Sequence, residues 1–178
     1  KNTDKEEIER RIADNTITDI LNKIEVKKGD VVMVKAGTIH AIGAGIIICE
    51  IQQNSNCTYR MYDYDRRDKY GNPRELHVKK ALDVVDTKAY VKDNTTEVML
   101  EENEHYSLER LVQCKDEVKI VADESSFVSL VFIEGSGTIE ADDYKQEVPF
   151  KAGESFFVSS GKRSINIKGK GTCIVTHV

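Results

Sequence analysis

Three residues set ten positions apart, His40, Glu50 and Arg60, could do chemistry together. A neutral imidazole is a good ligand for a metal ion such as zinc. A carboxylate can take and return a proton, and a guanidinium can hold an anionic oxygen through paired hydrogen bonds. Even spacing means equal strand parity. The three are therefore expected to face one cavity if the turns between them keep the register. Glu50 ends the apolar run Ile46-Ile47-Ile48-Cys49, where a carboxylate is costly to bury unless paired. That cost predicts a role for it, as proton carrier or as partner of Arg60. Each residue also has a plainer reading. His40 could be a hydrogen-bonded core histidine, Glu50 and Arg60 a structural pair, and Arg60 a rim salt bridge to Asp63 or Glu50.

These groups need rigid elements to carry them. Val31 to Val34, Ile46 to Ile51 and Thr58 to Tyr64 are rich in β-branched and aromatic residues and predict strands. Ahead of them, Ile8, Ile12, Ile17, Ile20, Leu21 and Ile24 recur at close to 3.6 residues, which predicts helix over 4–24, with a break at Asp14-Asn15 and Thr16 capping a second short helix. Gly71-Asn72-Pro73 predicts a turn, and Leu76 to Leu82 a short helix carrying His77 and Lys80. A second β block follows. Strands are expected at Tyr106 to Val112, Val118 to Ala122, Phe127 to Glu134, Gly137 to Ala141, Glu147 to Phe150, Ser155 to Val158, Ser164 to Lys168 and Thr172 to Thr176. Gly135-Ser136-Gly137 and Asp142-Asp143 read as tight turns. So many short strands predict a sandwich or barrel of jelly-roll type. The polar, acidic stretch from Asp93 to Asn103 is the candidate linker.

Composition narrows the function classes. In 178 residues, 39% are apolar and 32% charged, which suits a soluble globular protein. Net charge is -5 and spread along the chain, without the basic patch that nucleic acid requires. Arg66-Arg67 and Lys69 alternate with Asp63, Asp65 and Asp68 and read as a solvated loop. Cys49, Cys57, Cys114 and Cys173 form no C-x-x-C pair, which argues against a four-cysteine zinc site. Cys49, in its apolar run, is expected to be a buried thiol. No signal peptide and no long apolar span is visible, so a cytoplasmic location is expected.

One pattern occurs twice. Gly29-Asp30, then Ala36-Gly37-Thr38-Ile39-His40, resembles the second motif of cupins, G-(x5)-P-x-G-x-x-H, with Lys35 at the proline position. Gly153 to Ser164 repeats it, with Ser159 at the proline position and Ser164 at that of the histidine. The expected fold class is thus mainly β: two cupin-like jelly-roll blocks with a short helical lead-in. The expected division is 1–28 for the lead-in, 29–92 for an incomplete cupin portion with the metal site, and 93–178 for a cupin-like β domain without a metal ligand.

The runs A-G-T-I-H-A-I-G, E-I-Q-Q-N-S-N-C-T-Y-R-M-Y-D-Y and P-R-E-L-H (Pro73 to His77) closely resemble type I mannose-6-phosphate isomerases of the short bacterial kind. The match is strongest over 25–85. The resemblance implies interconversion of mannose 6-phosphate and fructose 6-phosphate, with a single zinc ion held by a Gln, two His and a Glu. His40 matches the last of these ligands; the others lie upstream in the family, so this chain resembles the carboxy-terminal part of such an isomerase. The resemblance also places the active-site arginine at Arg60 and the proton-transfer carboxylate at Glu50. Gln52, Gln53, Asn54 and Ser55 could hydrogen-bond sugar hydroxyls, Gln52 and Gln53 being the candidates, or form a plain polar turn. Departures from the family pattern are Lys35, Asn56 and Tyr64-Asp65, where Pro, Asp and Trp-Gly are usual. The implied partner is a phosphorylated hexose, with no nucleic acid and no membrane. The rival readings are a metal-free sugar-binding or regulatory cupin and a purely structural domain. Lys162-Arg163 could bind a phosphate but reads more readily as a solvated turn, and His105 and His177 carry no supporting context.

Overall fold

The computed structural model describes residues 3–91, 99–102, 105–113 and 117–178. Cys114 and residues 93–98 and 103 of the expected linker lie outside the described residues. The chain divides into two compact units, one of residues 1–47 and 54–94, the other of residues 48–53 and 95–178. Among the described residues, no helix is long and apolar enough to cross a membrane.

The first unit opens with helix α1, Lys5–Ala13. Asp4 caps it by accepting the Glu7 N–H at 2.7 Å, and Glu6, Glu7, Arg10 and Arg11 complement the helix dipole. Ile8, fully buried, is its anchor. Asn15, with φ of 59°, ends the helix in the left-handed region that asparagine tolerates. Beyond it only a 3-10 turn forms, Ile17–Asp19, and Thr16 makes no side-chain cap. The helical pattern read over 4–24 is therefore shorter than expected. The second helix, α2, is Val78–Val84.

Between them, the three strands expected at 31–34, 46–51 and 58–64 are not found. A strand exists only through a hydrogen-bonded neighbour. These segments have the right alternation but no ladder partner, and several of their apolar side chains stay open: Val32, Val34, Ile46 and Ile48 are exposed, and Ile47 is 99% exposed. The expectation of two jelly-roll blocks thus meets one described sheet.

That sheet makes up the second unit. Its strands are β1 Met99–Glu102, β2 Ser107–Gln113, β3 Val118–Ala122, β4 Val128–Ala141, β5 Tyr144–Lys151, β6 Ser155–Val158 and β7 Arg163–His177. The path β1-β2-β7-β4-β5 is antiparallel, with β3 added to β7 and β6 to β4. Strand β1 occupies part of the expected linker. Four of the expected short strands are two long ones, because β4 runs through Gly135-Ser136-Gly137 and β7 through residues 168–172. The glycines face one another across the ladder, Gly135 with Gly171 and Gly137 with Gly169. Where side chains would collide, the backbones pass closely instead.

This waist divides the sheet. On one side, the first part of β4 and the last part of β7 pair with β6 and β2; on the other, their remaining halves pair with β5 and β3. Core side chains come from both sides: Val128, Leu130, Phe132, Cys173 and Val175 from the first, Ile120, Ala122, Ile139, Phe150, Ile165 and Ile167 from the second. Phe132 and Phe150 stack with ring centroids 3.8 Å apart, and Phe156 meets Phe132 edge-on at 5.8 Å. Each buried phenylalanine contributes about 1.5–3 kcal/mol of hydrophobic stabilisation.

Candidate active site

The first unit's polar region contains a hairpin-like excursion from Arg60 to His77. Arg60 and His77 lie opposite each other: the His77 N–H donates to the Arg60 carbonyl at 2.6 Å, and the Arg60 N–H donates to His77 Nδ1 at 3.2 Å. Three residues inward on each side, Arg74 grips Asp63 through both carboxylate oxygens. Farther out, Arg67 and Pro73 form an antiparallel bridge. The chain turns at Asp63–Arg66, where the Arg66 N–H donates to the Asp63 carbonyl at 3.0 Å, with Tyr64 and Asp65 both at positive φ. The departure from Trp-Gly therefore puts Asp65, where glycine is usual, in the left-handed region beside Tyr64, at a cost of roughly 1–2 kcal/mol.

The loop's cations are engaged locally. Arg67 pairs with Asp65, while Arg66 and Lys69 lie over the rings of Tyr64 and Tyr70. Asp68 accepts the N–H groups of Tyr70 and Asn72 and shapes the tip. The loop is exposed to solvent, as its mixed charges predicted.

Asp63 is buried, and the Arg74 guanidinium holds its carboxyl below the usual carboxylate range. A lowered folded value means that the pair stabilises fully above the unfolded aspartate value, about 3.9, and stops doing so as pH falls through the folded value. The amide of His77 is expected to resist hydrogen exchange above about pH 4 and to open below it. Exchange measured across pH tests this, and Asp63→Asn should remove the acid step. A step that survives in that variant would belong to another group.

Arg60 is half-buried, and its Nη1 donates to the Glu75 carbonyl at 3.0 Å. The rim salt bridge to Asp63 is not formed, since Arg74 takes that carboxylate. His77, read from the sequence as a helix-surface residue, is instead the N-cap residue of α2 and the partner of the Arg60 backbone. No local pattern announced this; the one available signal was a histidine just before a helix, opposite a candidate arginine.

His40 is exposed, so the core-histidine reading does not hold. Its Nδ1 is 2.9 Å from the Thr38 carbonyl. A hydrogen bond there needs the proton on Nδ1, which leaves the Nε2 lone pair available to a metal. Among the described residues, no three His, Cys, Asp or Glu side chains gather as a metal-binding group. His40 thus fits as one ligand of a zinc ion, and the described residues do not complete the set.

Glu50, Gln52 and Gln53 are all exposed. The burial cost invoked for Glu50 therefore does not operate. The parity argument for His40, Glu50 and Arg60 also fails, because no strands exist there to carry it. Glu50 belongs to the second unit, His40 and Arg60 to the first. Cys49 is exposed rather than buried, whereas burial pushes the Cys173 thiol up to about 12 and keeps it protonated.

In the second copy of the glycine pattern, Ser164 alternates with the buried Ile165 and Ile167 and so faces away from the core. It donates to Asp142, which also receives Lys119 at 2.7 Å and Asn166 at 3.0 Å. Lys119 first, then Ser164, holds the Asp142 carboxyl below its ordinary range. The group is a closed outer-face network across β3, β7 and the β4–β5 turn.

Residues 95–178 match the family described as mannose-6-phosphate isomerase, cupin domain. Mannose-6-phosphate isomerase ManA of Bacillus subtilis is 34% identical over 185 residues, covering 99% of this chain and 58% of that protein. A putative mannose-6-phosphate isomerase of the same organism, YvyI, is 36% identical over 168 residues, covering 89% of this chain and 52% of its own length. A crystal structure of the mannose 6-phosphate isomerase from Bacillus subtilis superposes with a TM-score of 0.58 at 34% identity, covering 71% of this chain and 42% of that one. The chain spans a little over half the length of these two curated relatives, and it is similar to mannose-6-phosphate isomerases along 89% to 99% of its own length.

Proposed function

We propose that this chain is part of an aldose–ketose isomerase that interconverts mannose 6-phosphate and fructose 6-phosphate. The observation that carries this reading is the match to ManA along 99% of the chain. The reaction moves a proton between C1 and C2 of the open-chain sugar through an enediol. It needs a base near those carbons and a partner for the charge that develops on oxygen. Glu50 is assigned the proton transfer. Arg60, with one guanidinium nitrogen braced on the Glu75 carbonyl, is assigned the developing anion, which its remaining N–H groups suit. Gln52 and Gln53 are assigned hydrogen bonds to sugar hydroxyls. His40 Nε2 is assigned to zinc, which when bound supplies Lewis-acid polarisation of the sugar oxygens. The open strand-like segments of the first unit are read as the unpaired part of a second cupin barrel.

The test is a coupled assay of mannose 6-phosphate turnover by the full-length gene product. Turnover that is lost with a chelator and regained with zinc is expected. Chelator-insensitive turnover would overturn the zinc assignment. No turnover with zinc present would overturn the isomerase reading and favour the metal-free sugar-binding cupin. The 178-residue chain alone is expected to be inactive and to bind zinc weakly, because one histidine does not hold the ion.

A further inference from the structure

The hairpin and α2 meet at a single residue, and this creates a demand that a side chain fills. In an antiparallel hydrogen-bonded pair, the two opposite residues exchange both N–H···O bonds. His77 gives its N–H to the Arg60 carbonyl in this way. Its own carbonyl is instead directed into α2, where it accepts the Ala81 N–H at 2.9 Å as the first bond of the helix. The Arg60 N–H turns instead to the imidazole Nδ1 at 3.2 Å. An acceptor on the side chain thus does the work of a carbonyl, which lets the hairpin end and the helix begin at the same residue.

That substitution fixes the arginine. Its backbone is held at N–H and carbonyl by His77, and its guanidinium by the Glu75 carbonyl two residues earlier on the same run. With Nδ1 accepting, the ring proton sits on Nε2, 3.7 Å from the Glu75 carboxylate, and the Tyr59 ring lies 6.4 Å away. The His77 side chain is 23% exposed, against 83% for Glu75. We propose that His77 is a positioning residue for Arg60, its Nδ1 replacing its own engaged carbonyl. The proposal rests on the reading of Arg60 as the residue that meets the substrate's developing charge.

Substitutions at the ring separate this role from general support. In asparagine, Oδ1 occupies nearly the place of Nδ1; in glutamine, the amide lies toward Nε2. The full-length gene product with zinc would be assayed as His77→Ala, His77→Asn and His77→Gln, each also in an Arg60→Ala background. The expected result is a fall in kcat of about tenfold to a hundredfold for His77→Ala and His77→Gln, with KM little changed. His77→Asn should return most of kcat. In the Arg60→Ala background, His77→Ala should cost nothing further, as for two residues acting as one unit. Should His77→Ala not fold, the contrast between His77→Asn and His77→Gln carries the same test. Wild-type kcat in His77→Ala, or His77→Asn as impaired as His77→Gln, overturns the positioning role alone, provided Arg60→Ala is impaired. Wild-type kcat in Arg60→Ala overturns the reading of Arg60 and the positioning role with it.

Discussion

Gly135→Ala is expected to cost about 4 kcal/mol or more and to leave the β unit unfolded or molten at ordinary temperature. Two costs coincide at this residue. Its φ of 83° lies in the region that L side chains rarely adopt. An added Cβ would also fall inside the contact distance of the Lys170 carbonyl oxygen and the Gly171 Cα. Both obstacles are backbone, so no rotamer change relieves them. Relief requires β4 and β7 to separate at the waist, and the stacked Phe132 and Phe150 lie on opposite sides of it. A domain stability of about 5–15 kcal/mol leaves little room for that. Gly153→Ala is the control: its φ is 91°, yet its Cβ would meet nothing within 4 Å. Urea unfolding of both variants is the measurement. Equal losses would mean that the dihedral angle alone matters and that the close approach of the two strands does not.

Arg60→Ala is expected to lower turnover by the full-length gene product about 10²- to 10³-fold while leaving the fold intact. The reason lies in which atoms hold Arg60. Its links to His77 run through backbone N–H and carbonyl, which alanine keeps. Only the guanidinium bond to the Glu75 carbonyl is removed, worth about 1 kcal/mol. Arg60→Lys should recover little, since an ammonium lacks the planar fork that holds two oxygens at once. Turnover and thermal melting, measured on the same preparations, decide between the two roles. Lost melting temperature with turnover retained at low temperature would make Arg60 a brace and remove it from the chemistry.

The sequence by itself determined the local elements and the chemical types. Spacing near 3.6 predicted α1, and alternation predicted β3 and β6 with the bounds observed. Asp142-Asp143 was readable as a turn because its cause is local. The quoted motifs around His40, Glu50, Arg60 and Pro73–His77 pointed to the isomerase family that the comparisons then supported. Only tertiary structure decided what depends on residues far apart in the chain. Gly135-Ser136-Gly137 looked like a turn, because glycines in isolation signal one; Gly169 and Gly171, more than thirty positions away, make it the waist of two continuous strands. Val31 to Val34 and Ile46 to Ile51 have strand composition, but composition supplies no partner, and without a ladder they remain open chain. Likewise Asp63 was free to choose Arg60 until the hairpin register brought Arg74 to it. His77 met Arg60 for the same reason: pairing across a hairpin is a property of register, and register is decided by the fold of both arms together.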